Sequence, residues 1–172
     1  SMAEVLVLLL ALVGGFPQPL AAVQILWINL VTEGTVTVNL VMDPADGDEM
    51  RRAPVPRNDR LLGAEMLRRV ALMTPLIAAV TFGWFAWRLS QDVALEIVRT
   101  ETFTVLAMCQ WFNVLNCQSA RASALGLRIL RNRWLLGGLS LSVLLQALVL
   151  YAPPLNALFH TVSLPASTLV AL

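Results

Sequence analysis

The 172-residue chain is 58% hydrophobic and 13% charged, with a mean hydropathy of +0.72, whereas soluble domains run near 45–50% apolar and about 25% charged. Twelve Arg, no Lys and eleven acidic residues leave a net charge of +1, so no overall field favours nucleic acid or acidic substrates. An ordinary water-soluble globule is excluded, and any function has to reside in local sites.

Apolar runs long enough to cross about 30 Å of hydrocarbon define an all-α fold, an integral membrane helical bundle of about five to six transmembrane helices, truncated at both ends. The first segment, about Ala3–Val13, is too short to span and reads as the second half of a helix. Glu4 is its first charge, and no basic residue precedes Val5–Val13 as in a signal peptide. Gly14 and Gly15 with Pro17 and Pro19 end it in a tight turn. A second helix, about 20–42, has spanning length but carries Gln24, Asn29, Thr32, Glu33, Thr35, Thr37 and Asn39. The polar stretch 43–65, with Pro44, Pro54 and Pro56, is a solvated loop.

A third helix over about 66–87 contains Pro75 as a kink and has Trp84 and Trp87 near one end, where an aromatic belt lies. Arg88–Glu101 forms a short charged connection to a fourth helix, about 102–118, with Gln110, Asn113 and Asn116. After the arginine-rich stretch Arg121–Arg133 comes a fifth, about 134–151, without a charge. Pro153 and Pro154 stop it, and a last helix begins over about 162–172.

Arginines favour the cytoplasmic side of short loops. Arg51, Arg52, Arg57, Arg60, Arg68 and Arg69 gather after the second helix, and Arg121, Arg128, Arg131 and Arg133 after the fourth. The alternate connections hold only Arg88 and Arg99, offset by Asp92, Glu96 and Glu101. The Arg-rich loops are therefore expected in the cytoplasm, with the bundle in a bacterial plasma membrane.

An ionised group inside the bilayer is costly and marks a functional candidate. Glu33 sits mid-way along the second helix, and the spacing of Asn29, Thr32 and Glu33 places three oxygen-bearing side chains on one face of an α-helix. Glu4 lies at a similar depth, so the two carboxylates are expected to meet, and Gln110 adds an amide at a comparable distance from its helix ends. Such carboxylate, amide and hydroxyl oxygens suit hard cations. Gly34 beside Glu33 would let the helix loosen and present backbone carbonyls, as discontinuous transporter helices do. For Asn29 and Thr32 taken singly, interhelical hydrogen bonding is the alternative.

Other candidates are plain. His160 is expected in an outward connection without nearby metal-binding partners. Asp43, Asp46, Asp48 and Glu49 lack the glutamate at the twelfth position of a calcium loop. Cys109 and Cys117, in apolar stretches, make neither a disulfide framework nor a CxxC site and read as small buried hydrophobes.

The stretch QILWINLVTE at Gln24–Glu33, followed by DPADGDEMRRAPVPR at Asp43–Arg57, resembles the sixth transmembrane helix and next cytoplasmic loop of cation-transporting P-type ATPases of the calcium-pump and sodium-pump type. Glu4 in AEVLVLLLAL is similar to the family's fifth-helix glutamate, RTETFTVLAMCQWFNVLN at Arg99–Asn116 resembles the eighth helix, and YAPPLNALFHT at Tyr151–Thr161 the connection before the tenth. The resemblance implies a C-terminal transmembrane domain over 1–172, with metal ligands Glu4, Asn29, Thr32, Glu33, Gln110 and Asn113. It differs from the common pattern in having Glu33 for Asp, Val36 for Pro and Gln110 for an acid. The resemblance implies no cofactor in this chain beyond the transported cation, calcium or sodium. ATP and magnesium would belong to other domains, since the DKTGT phosphorylation motif is absent from these residues and they alone would have no ATPase activity. The implied partners are the lipid bilayer and the N-terminal half of the same pump, with its first transmembrane helices and its actuator, phosphorylation and nucleotide domains; no nucleic acid is implied. Two readings of another class stand beside this one: a stand-alone passive cation transporter or channel, and a silent membrane scaffold.

Overall fold

The computed structural model describes residues 1–34, 63–118, 133–165 and 168–169, and among these all regular structure is helical. Six α-helices follow in chain order: α1 (Met2–Val13), α2 (Ala22–Trp27), α3 (Ala64–Leu89), α4 (Leu95–Gln118), α5 (Arg133–Tyr151) and α6 (Pro153–Phe159), with a π-helical turn over Ile28–Glu33 directly continuing α2. The continuation of the second helix to Met42, the acidic run at 43–49 and most of both arginine-rich connections fall outside the described residues. Residues 161–165 are not helical, whereas Thr168 and Leu169 are, their amides donating to the Pro165 carbonyl, so the helical backbone described there follows Pro165 rather than starting at 162.

Among the described residues, Leu67–Leu89 is by itself long and apolar enough to cross a membrane. Leu136–Tyr151 and Pro153–Phe159, bent by 87° at their junction, have the composition of one broken span, while Met2–Val13 and Ala22–Val31 are shorter apolar helices. Pro75 lies inside α3 without ending it, as apolar surroundings allow when neighbouring groups satisfy the freed carbonyl.

The turn after α1 is a Schellman motif. Gly15 adopts φ +69, the Phe16 amide donates to the Ala11 carbonyl at 2.9 Å and the Gly15 amide to Leu12 at 3.2 Å. That turn throws Phe16 against α3, where its ring meets Phe82 at 5.6 Å and Phe85 at 6.3 Å, both edge-on. At the far end, Trp27 stacks edge-on with Phe159 at 4.8 Å, and the buried Gln24 amide donates to the Phe159 carbonyl at 3.2 Å. These contacts bracket one core of Ala3, Leu20, Ile28, Ile77, Phe103, Leu106, Val149 and Phe159.

Helix α4 runs through the middle. It packs on α3, on α5 and on the π turn, and every residue from Thr100 to Ala107 is buried. The sequence placed its start near Thr102, with a charged connection before it; the structure shortens that connection and starts the helix at Leu95. The reason is that Asp92, at φ 55, completes the turn, and the charges that follow sit on the helix itself. The hydroxyls of Thr100, Thr102 and Thr104 donate to the carbonyls four residues earlier at 2.7–2.8 Å, so these polar residues satisfy themselves within their own helix.

Candidate cation site

Three elements distant in sequence deliver polar side chains to one buried point. On α1 the residues Ala3, Glu4, Val7 and Ala11 form the buried stripe, so Glu4 is carried inward by the helical period that buries its apolar neighbours. Its exposure is 2%. Oε1 of Glu4 accepts from Gln110 Nε2 of α4 at 2.8 Å, and Oε2 accepts from Asn29 Nδ2 of the π turn at 3.0 Å. Gln110 itself is 7% exposed.

A carboxylate removed from water is tolerated only when its oxygens are satisfied, and here each has a donor. Both carboxamides carry an oxygen and an NH2 on one rotatable bond. A half-turn would present oxygen where nitrogen now sits, converting donors to the carboxylate into donors of electron pairs to an ion. The π-helical turn carrying Asn29 adds to this, because its wider bonding departs from the α ladder and such turns occur often at functional sites. It also alters the register. The spacing that would put positions 29, 32 and 33 on one face holds for a regular α-helix, which this stretch is not.

Of the six residues singled out as ligands, the structure joins Glu4, Asn29 and Gln110. Asn113 is half-buried, nearly one turn beyond Gln110 on α4, and is not a partner of Glu4. The side chains of Thr32 and Glu33 fall outside the described residues, and with them the expected meeting of the Glu4 and Glu33 carboxylates. Gly34 directly follows the π turn. Among the described residues no group of three His, Cys, Asp or Glu comes together, so the donor set joined there is one carboxylate and two carboxamides, all hard oxygen donors once the amides turn. His160 is exposed and left-handed at φ 52, capping α6; Cys109 packs half-buried against the core.

One buried carboxylate escaped sequence reading. Glu101, read as part of a loop, is fully buried on α4 and accepts from Arg88 Nε and Nη2, both at 2.7 Å, and from Trp84 Nε1 at 3.1 Å. Its signal in the sequence is the run of self-satisfied threonines around it, which extends the helix to include it.

Among the described residues the structure is all-helical and strongly apolar, with a helix long enough to span a bilayer and polar groups enclosed beside it, the character of an integral membrane bundle. Residues 17–172 match the family model for the C-terminus of cation transporting ATPases. The chain is 31% identical over 161 residues to the probable cation-transporting ATPase F of Mycobacterium tuberculosis, covering 94% of this chain and 18% of that protein. It is 34% identical over 161 residues to calcium-transporting ATPase 1 of Schizosaccharomyces pombe, with the same coverage. To a calcium-transporting ATPase of Bacillus subtilis it is 33% identical over 165 residues, covering 95% of this chain and 18% of the relative. The chain therefore belongs to the cation-transporting ATPase family, corresponds to its C-terminal transmembrane region, and spans less than a fifth of the length of these curated relatives.

Proposed function

We propose that this chain supplies part of the intramembrane cation site of an ATP-driven P-type pump, with Glu4, Asn29 and Gln110 as ligands and Thr32, Glu33 and Asn113 completing the set. The observation that carries this reading is the convergence on one carboxylate of carboxamides from residues 25 and 106 positions away. Polar groups sunk in hydrocarbon are expensive, and three of them from three elements at one point need a common task.

Calcium is the favoured cargo. The oxygen donors suit a hard divalent ion, and two of the relatives quoted bear calcium in their names. Glu4 supplies the negative charge; Asn29 and Gln110 turn their amides to offer oxygen when the ion enters and close back on Glu4 when it leaves. The ATP-hydrolysing parts, with their nucleotide and magnesium, lie in the N-terminal portion of the full-length pump. Phosphorylation there shifts an equilibrium between inward- and outward-facing arrangements, and the ion's differential affinity for the two couples the sites reciprocally. The arginine-rich connections face the cytoplasm of a bacterial cell, and the surrounding lipid solvates the apolar outer faces.

In the full-length pump, Asn29→Ala and Glu33→Ala are each expected to raise the cation concentration for half-maximal phosphorylation at least tenfold, about 1.4 kcal/mol. Unchanged cation-dependent phosphorylation in both variants refutes the assignment.

A further inference from the structure

Glu101 and Gln110 lie on the same helix, separated by nine positions. Nine residues are about two and a half turns and about 14 Å of rise, so the two side chains leave α4 on opposite sides. The Glu101 side is gripped by α3. Arg88 closes a two-pronged fork on the carboxylate at 2.7 Å per bond, and Trp84, one turn earlier on α3, donates to the same Oε2. Arg88 is further held by Gln91 Oε1 at 3.1 Å and lies over the Trp87 ring at 6.0 Å. Desolvating an ion pair whose carboxylate is buried and whose guanidinium is half-buried offsets much of what the attraction returns, so net stability alone does not explain it. A fork fixes direction as well as distance. Among the described residues, this part of α4 is also tied to its neighbours by single hydrogen bonds, from Arg99 Nε to the Gln18 carbonyl at 2.8 Å and from the Val162 amide to Thr100 Oγ1 at 3.1 Å.

We propose that the Arg88–Glu101 pair is a positioning device that sets the rotation of α4 about its axis, and through it the reach of Gln110 to Glu4. The proposal rests on Gln110 belonging to the cation site. A helix with its side chains has a radius of about 5–6 Å, so a rotation of about 10° moves a side-chain tip by about 1 Å. That displacement takes a 2.8 Å hydrogen bond out of bonding range.

The test is a double-mutant cycle in the full-length pump, read as the calcium concentration for half-maximal phosphorylation. Gln110→Ala and Glu101→Gln are each expected to raise it about fivefold or more. The double variant is expected to match Gln110→Ala alone, since a lost rotation has no effect once the side chain it aims is gone. Multiplying effects, or no effect of Glu101→Gln, overturn the positioning role while leaving the site intact. An unaltered Gln110→Ala overturns the membership of Gln110 in the site, and the positioning role falls with it. If Glu101→Gln does not accumulate in the membrane, Arg88→Lys, which keeps the charge and loses the fork, enters the same cycle with the same expectations.

Discussion

Among the described residues two carboxylates are buried in this bundle, Glu4 and Glu101, and they are satisfied in opposite ways. Glu101 is locked by an arginine fork and an indole, donors that cannot become acceptors. Glu4 is met by two carboxamides, each able to exchange its nitrogen for its oxygen. A carboxylate fastened by a guanidinium holds helices; one surrounded by amides can give its partners up to an ion. Both have near-zero exposure, so burial alone does not separate the structural group from the candidate ligand. The chemistry of the partners does.

Substitutions that strand a charge break this comparison most directly. Arg88→Ala leaves the Glu101 carboxylate buried with only Trp84 as donor. A loss of about 3–5 kcal/mol is expected, as for other buried pairs deprived of one partner, measurable as a large drop in the thermal midpoint of the detergent-solubilised pump. Glu4→Gln should do the reverse of this in the ion-free protein. Removing a buried charge leaves stability unchanged or slightly raised, while cation affinity falls at least tenfold, about 1.4 kcal/mol. A Glu4→Gln protein that melts like Arg88→Ala would make the two carboxylates alike and remove the distinction.

A smaller effect belongs to the turn that sets α1 against α3. Gly15→Ala forces an L side chain to φ +69, and a cost of about 1 kcal/mol is expected, read as a modest fall in thermal midpoint with unaltered cation affinity. The smallest is Cys109→Ala. Its side chain packs on the core and is not among the hydrogen-bond partners of Glu4, so cation-activated phosphorylation should be unchanged.

The sequence was legible where hydrophobic period and turn chemistry act locally. The Gly14–Gly15 stop, the spanning length of α3 and the halt at Pro153 all follow from spacing and turn chemistry along single helices. It misled where a long-range partner changed the meaning of a residue. Arg88 and Glu101 looked like loop charges because charge in an apolar chain ordinarily marks solvent; their mutual bond, across 13 positions, lets both helices run on past the expected boundaries. The π turn at Ile28–Glu33 was equally hidden, since nothing in the residue pattern distinguishes a widened turn from a regular one.

What the sequence determined by itself is the solvent, the helical class and the list of polar groups that hydrocarbon forbids without a reason, because these follow from transfer energies and a fixed rise per residue. What the tertiary structure decided is which of those groups are neighbours. Hydrogen-bond partners are chosen by packing across helices, and a carboxylate carries no mark in sequence of whether an arginine or an amide will face it.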